Sequence, residues 1–404
     1  MNLLTWVAQD MYWGWFRPYW LFIFCGFLIA ILISWFRFKR RHIPTQSLYI
    51  AIFLLTPFAL IGASIFGKLD IIHPVQFYQL FMFWLPGMSI HGGLLFGLIA
   101  GWVWFGYEAR KTNISIWVYA DLIIPNILIA QALGRWGNFF NHELLGAPVD
   151  QSALMWLPRF IRDNLFKWYI DPNGIIDPQT NVITAGGHIP FDPNNPDFWN
   201  KIQYFQPIFL YESFANVMLW AVIVFLVPAI FRYSYYWQFK KREPNFATLS
   251  YKGVWDKWYY DVHPDQQMVR NLSQQENLKK IYFKNIYKLP RWERFKIRLK
   301  YWGARIKQTF TANREKLEKI QNPHNLIVLR SGVQAGMYIF GYNIIRLILE
   351  VQRTDQDLFI KNARVLDYII ISLMILLGAA LVFFAQFISV KKWRKGGWLY
   401  EKQY

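Results

Sequence analysis

Seven stretches of nearly unbroken apolar residues punctuate the chain, at 18–36, 48–66, 89–107, 115–134, 207–231, 327–349 and 366–390. Each is close to the ~20 residues that an α-helix needs to cross a hydrocarbon core. The pattern predicts an all-α polytopic membrane protein of about seven transmembrane helices. The first stretch, Tyr19 to Phe36, is long enough to span and no small-residue cleavage site follows it, so it is expected to remain as a helix. Lys and Arg set the orientation. Arg37, Lys39, Arg40 and Arg41 follow the first stretch, Arg110 and Lys111 the third, Arg232 and Lys240-Lys241-Arg242 the fifth, and Lys391, Lys392, Arg394 and Lys395 the seventh. All four clusters fall on one side, which the positive-inside rule makes the cytoplasm. The N-terminus is then outside and the C-terminus inside.

This reading divides the chain into membrane helices 1–4 within 1–146, an extracytoplasmic insertion at 147–206, helix 5 at 207–231, a basic cytoplasmic insertion at 232–325, helices 6 and 7 within 326–391, and a tail at 392–404. The outer insertion is rich in turn formers, as in Asp171-Pro172-Asn173-Gly174 and Asp192-Pro193-Asn194-Asn195-Pro196, and is expected to be a small irregular domain. It carries four Lys/Arg against six Asp. The inner insertion carries 21 Lys/Arg against 8 Asp/Glu, a net of +13 out of the chain's +19.

Composition narrows the class. A soluble domain rarely combines 54% hydrophobic and 20% aromatic residues with so basic a balance. A basic nucleic-acid binder has no need of long uncharged runs, so no nucleic-acid partner is expected for the chain. The inner insertion reads as a solvated segment against the anionic inner leaflet. RNA or a partner protein is the alternative for it, because Trp, Tyr and Phe are interleaved with its charges. The one cysteine, Cys25, lies in an apolar stretch and excludes an intramolecular disulfide.

Candidate chemistry lies in residues that are costly near hydrocarbon, since a charge at mid-bilayer costs at least ~2.5 kcal/mol and normally has a use. His91 opens the third helix in Ser89-Ile90-His91-Gly92-Gly93, where the glycines allow close approach of a helix or a ligand. By itself it reads equally as a packed structural histidine. At the outer end of the fourth helix stands Gly134-Arg135-Trp136-Gly137-Asn138-Phe139-Phe140-Asn141-His142-Glu143-Leu144-Leu145-Gly146. Arg135 and Asn138 share a face if the helix continues, and the planar donor fork of arginine suits phosphate. Arg346, Glu350 and Arg353 form a stripe at spacings of four and three, which also reads as a simple intrahelical pair. Tyr19, and Tyr211 with Glu212, sit at the same depth. Together these groups suit an anionic head group whose acyl tails remain in the bilayer. The seven histidines are scattered and no HExxH or CxxC spacing exists, so no metal or other cofactor is expected. P-loop and GxSxG patterns are absent too, so a nucleophile would come from a second substrate. A transporter of an anionic solute and a non-enzymatic scaffold stay open. The first should show paired halves and broken helices near mid-membrane, and the second leaves the outer arginines unexplained.

The run Gly134-Arg135-x-Gly137-Asn138-Phe139-x-Asn141-x-Glu143-x-x-Gly146 resembles the signature of bacterial prolipoprotein diacylglyceryl transferases. Arg17-Pro18-Tyr19, Gly87-x-Ser89-x-His91-Gly92-Gly93, Pro207-x-x-Leu210-Tyr211-Glu212 and Arg346-x-x-x-Glu350-x-x-Arg353 resemble further motifs of the family in the same order. The chain departs from the pattern at Ser64, where the family usually has arginine, at Tyr342-Asn343 for Tyr-Gly, and in the length of both insertions. The resemblance implies transfer of the diacylglyceryl group of phosphatidylglycerol to the lipobox cysteine thiol of secreted prolipoproteins, giving a thioether and glycerol phosphate, at the outer face of the bacterial cytoplasmic membrane. It implies His91, Arg135 and Arg346 as catalytic residues. It places Tyr19, Gly92, Asn138, Asn141, Glu143, Gly146, Tyr211, Glu212, Glu350 and Arg353 around the substrates. His91 is the candidate base because its ordinary pKa of ~6.5 lies near working pH, with a thiol lowered by Arg135 as the alternative.

Overall fold

The computed structural model describes residues 8–69, 77–82, 90–168, 202–245, 259–260, 272–303, 326–353 and 363–389. Among these the chain is mostly helical. Five helices are long and apolar enough to cross a membrane: Pro18–Arg40, Gln46–Lys68, Ile116–Phe140, Ile208–Arg242 and Arg364–Ile388. The chain is thus a polytopic membrane protein. The two other segments expected to span are helical as well, and in the second of them charge interrupts the apolar run. Helix α3 (Ile90–Thr112) ends in Glu108, Arg110 and Lys111, and the 18-residue helix Val333–Glu350 carries Arg346 and Glu350.

Contacts divide the chain into two compact units, one of Met1–Pro228 with Arg330–Arg394 and Gln403–Tyr404, the other of Ala229–Leu329 with Lys395–Lys402. In the first unit α1 (Pro18–Arg40) starts on a proline, whose fixed φ suits a first helical turn, and ends with Arg37, Lys39 and Arg40 against the negative end of its dipole. It packs on α5 (Ile127–Phe140), while α2 (Gln46–Leu69) packs on α3. Helix α4 (Ile116–Ile123) is capped by the Ser115 hydroxyl, which accepts from Trp117 N. It joins α5 through a 3-10 turn at Ile124–Asn126, where Pro125 lacks the N–H an α-helix would use. Asn126 closes that turn by donating to Leu122 O at 2.7 Å and to Ser34 of α1 at 2.8 Å.

Helix α7 (Ile208–Ala221) leads through a π-turn at Val222–Leu226 into α8 (Val227–Arg242), so this helix continues well past residue 231, where its apolar run was expected to end. A π-turn exposes backbone acceptors. Ile223 O takes a hydrogen bond from Gln334 Nε2 of α11 (Val333–Glu350), and Gln334 Oε1 in turn accepts from Arg37 at 2.6 Å. Arg37, one of the basic cluster that follows the first apolar stretch, is therefore tied into the helix bundle. The start of α11 is held by Asp121, whose carboxylate accepts from Gly332 N and Ala335 N at 2.8 Å each, a negative group at the positive end of a helix. Helix α12 (Arg364–Phe383) packs along α11.

The insertion after α5 is less irregular than expected. Its described part holds the short helix α6 (Arg159–Arg162) and a three-stranded antiparallel sheet with β3 (Ile202–Phe205) between β1 (Pro148–Val149) and β2 (Phe166–Trp168). Leu144, Leu145, Leu154, Leu157, Ile161 and Leu165 form its core against Phe139 and Phe209, so the module sits on the ends of α5 and α7. Residues 169–201 of that insertion, much of the basic one and the expected tail 392–404 lie outside the described residues. In the second unit, α9 (Leu272–Ile286) and the helix α10 at 291–303 pack through Tyr282, Phe283 and Tyr301. Tyr235 and Phe239 of α8 pack with Leu326 and Val328.

Candidate active site

Helix α5 does continue through the signature, reaching Phe140, and so presents Arg135 and Asn138 one turn apart. Arg135 Nη2 donates to Glu212 Oε1 at 2.7 Å, joining α5 to the first turn of α7. The second oxygen of Glu212 accepts from Arg353 Nη2 at 2.5 Å. Arg353 stands just beyond α11, and its Nε lies 3.6 Å from Glu350 Oε2. That same Glu350 oxygen is 2.8 Å from Arg346 Nε, an ion pair whose N–H is not aimed along the contact, and Glu350 Oε1 accepts from Arg346 Nη2 at 3.5 Å. The result is an alternating chain, Arg135–Glu212–Arg353–Glu350–Arg346, which joins α5, α7 and α11. Both glutamates are fully buried and the Arg353 side chain is 2% exposed, while Arg135 and Arg346 at the two ends keep 21% and 11%. The interior of the chain is structural in character. The cations that retain access are the terminal ones, and Arg135 Nε has no hydrogen-bond acceptor in the protein.

A second group sits where α5 unwinds. Asn138 donates to Glu143 Oε2 at 3.1 Å and Asn141 to Glu143 Oε1 at 3.5 Å. The turn is shaped by left-handed backbone at His142 (φ 52°) and Leu144 (φ 56°), which sends Glu143 back over the last turn of α5. Tyr19 lies within electrostatic reach of Glu143 and Arg135, and its ring leaves no room for a Cβ at Gly137 (2.7 Å). Gly146 is pinned by its N–H to Gln206 O and packs against Ile208. Gly92 packs against the backbone of Gly62 and the side chain of Phe66 on α2, so the glycine there serves helix approach. His91 is the second residue of α3, and its side chain lies outside the described residues. Tyr211 neighbours Glu212 on α7, but none of the described hydrogen bonds involves its hydroxyl.

Several polar groups at the site escaped the sequence reading. Tyr342 hydrogen-bonds Arg135, and Tyr338 one turn away stacks on Tyr342 with centroids 6.0 Å apart and accepts from Gln131 at 3.2 Å. Asn216 is fully buried, and neither of its amide atoms has a hydrogen-bond partner in the protein. It stands one turn after Glu212 and one turn before Trp220, which bonds Asn126, on the same face of α7. At Ser64 the chain supplies a different cation. Lys68 Nζ donates to Ser64 Oγ at 2.8 Å and to Gln79 O and Met82 O at 2.6 Å each. Among the described residues no group of three or more His, Cys, Asp or Glu side chains is placed to hold a metal ion.

Three arginines and two glutamates thus converge at one end of the helix bundle, where buried charge normally has a use. The family model for prolipoprotein diacylglyceryl transferase matches residues 13–244. The phosphatidylglycerol–prolipoprotein diacylglyceryl transferase of Ureaplasma parvum serovar 3 is 32% identical over 258 residues, which cover 58% of this chain and 66% of that relative, just short of two thirds. The corresponding proteins of Ureaplasma urealyticum serovar 10 and Streptococcus pneumoniae are each 31% identical, over 255 and 213 residues. With its motifs in order and the family model covering more than half of its length, this chain belongs to the prolipoprotein diacylglyceryl transferase family.

Proposed function

We propose that the protein transfers the diacylglyceryl group of phosphatidylglycerol to the cysteine thiol of a prolipoprotein lipobox. The sulfur attacks the glycerol carbon bearing the phosphate, a C–S bond forms as the C–O bond breaks, glycerol phosphate leaves, and the thiol proton passes to a base. The observation that carries the reading is the arginine–glutamate chain, whose accessible ends are the cations Arg135 and Arg346. Charge that develops on the leaving phosphate in a water-poor site is stabilised by such preorganised donors. Asn138, Asn141, Glu143, Gly146 and Tyr19 line the head-group side in this reading, Glu212, Glu350 and Arg353 hold the two working arginines, and Tyr211 borders them. His91 is the base. Gly92 contributes by letting α3 approach α2 closely. All seven apolar helices span, including α3 and α11, with the N-terminus outside and the C-terminus in the cytoplasm, so the site opens near the outer leaflet.

The test is lipid transfer in detergent micelles, from labelled phosphatidylglycerol to a peptide with a lipobox cysteine. Label should reach the Cys peptide and not its Ser counterpart, and Arg135→Ala should abolish transfer. A folded wild-type protein that moves no label would overturn the reading. His91→Asn that keeps both turnover and pH profile would remove His91 as the base.

A further inference from the structure

Helix α10 carries two apolar faces, and only one is used. Ile297 and Tyr301 turn toward α9, where the Tyr301 ring packs on Tyr282 and Phe283. On the other side Trp292, Phe295, Leu299 and Trp302 are 64%, 54%, 56% and 62% exposed. At 3.6 residues per turn these four fall within an arc of about 80°. Arg291 and Arg298 border the arc on one side, and Lys296 and Lys300 on the other. Lys296 Nζ stands 5.4 Å from the Trp292 ring, and Arg298 stands 5.2 Å from the ring of Tyr287, just past the end of α9. Phe283, Ile286 and Tyr287 continue the apolar surface from α9 across a groove shared with Phe295, Leu299 and Trp302.

A single exposed Trp on a soluble surface needs no explanation, but four large apolar side chains in one arc do. The arrangement of charge says what covers them. Residues 272–303 hold nine Lys/Arg against two Glu, and the cations border the apolar arc rather than break it. A helix with Trp, Phe and Leu on one face and Lys or Arg at its margins lies in the plane of an anionic bilayer, with rings at the head-group boundary and cations on the phosphates. The chain also tethers this unit to a bilayer, because the unit begins within the spanning helix Ile208–Arg242.

We propose that α10 is an in-plane membrane helix, which seats Trp292, Phe295, Leu299 and Trp302 in an anionic lipid leaflet while Arg291, Arg298, Lys296 and Lys300 hold its phosphates. The proposal does not depend on the transferase reading, since it concerns a lipid surface and not the reacting lipid.

The lone cysteine makes the test direct. In a Cys25→Ser background, an environment-sensitive dye is attached at Leu299→Cys, or at Glu293→Cys on the far side of the helix. The full chain is then reconstituted in vesicles of phosphatidylcholine alone or with phosphatidylglycerol. With the anionic lipid, the dye at 299 should shift to the blue and be quenched several-fold more by head-group-proximal nitroxide lipids than the dye at 293. Changing Arg291, Lys296, Arg298 and Lys300 together to Gln should return the dye at 299 to water. Equal wetting at 299 and 293 in anionic vesicles would overturn the proposal. So would burial of 299 that is the same in detergent, neutral and anionic vesicles, because protein would then cover the face. Protection at both positions by added RNA, with no response to anionic lipid, would overturn it in favour of a nucleic-acid surface.

Discussion

The carboxylate of Glu212 accepts from two guanidinium groups while it is itself shut off from water. Losing one partner of a buried pair costs about 3–5 kcal/mol, because the remaining charges stay desolvated. Glu212→Gln should therefore lower the unfolding temperature in detergent and abolish lipid transfer, since Arg135 and Arg353 lose their common anchor. A Glu212→Gln protein with wild-type melting and turnover would show that the arginines are held from elsewhere. Lys68 gives a second case at this scale. Its three ammonium protons meet Ser64 Oγ, Gln79 O and Met82 O, which pins the turn at Phe77–Phe81 to α2. Lys68→Met should cost about 1–3 kcal/mol for each buried acceptor left alone, seen as a lower melting point and faster proteolysis near residues 77–82. The charged members of the site were legible because Arg and Glu are conspicuous in an apolar helix. Tyr338 and Gln334 were not, and Tyr342 stood out only within a family motif, although with Arg346 and Glu350 they recur at every fourth residue of α11. Aromatic residues are ordinary in membrane helices, so their pattern carried no weight until Arg135 and Gln131 were seen opposite them. Lys68 lay at the end of an apolar run, where a lysine reads as a solvated end.

Close helix approach can be tested on a single face of α3. A Cβ at Gly92 would run into the Gly62 carbonyl and Phe66 of α2, whereas one at Gly97 would touch only the Ala59 methyl at an ordinary 3.6 Å. Gly92→Ala should thus force α2 and α3 apart at a cost of about 1–3 kcal/mol, typical of overpacking, while Gly97→Ala should leave melting unchanged or slightly raised. Equal melting of the two variants in detergent would mean that the helices yield freely. The His91-Gly92-Gly93 run announced a close approach, and what the sequence left open was whether a helix or a ligand made it. The break between α4 and α5 follows from Pro125, although the apolar pattern reads 115–134 as one helix. The π-turn at Val222–Leu226 had no comparable sign, because Val-Ile-Val-Phe-Leu is an ordinary apolar run and the extra residue in the turn is offset by a side chain far away, Gln334. The sheet in the outer insertion was hidden for a related reason. Its strands have only two to four residues, and Phe166–Trp168 finds its partner Ile202–Phe205 across more than thirty residues of turn formers.

For the whole molecule, the uneven distribution of charge was the most readable feature, and it marked the basic insertion as something apart from the bundle. The sequence also marked α3 and α11 as spans, although Arg346 and Glu350 shorten the apolar run of α11. The structure adds how the insertion is closed at its root. Tyr235 and Phe239 on α8 pack with Leu326 and Val328, and the Tyr235 hydroxyl contacts Leu329 N, so the two ends of the insertion meet. Replacing 246–325 by a flexible linker should then leave the bundle intact, since Leu326 and Val328 still reach Tyr235 and Phe239. In micelles, where no leaflet is present, the shortened protein should melt near the wild-type temperature and transfer lipid at a comparable rate. In vesicles with anionic lipid it should lose the salt-sensitive lipid contact that α10 provides. If the shortened protein stays folded in micelles but its turnover collapses, the insertion acts on the reaction itself, and the division into a catalytic bundle and a membrane-reading appendage is wrong.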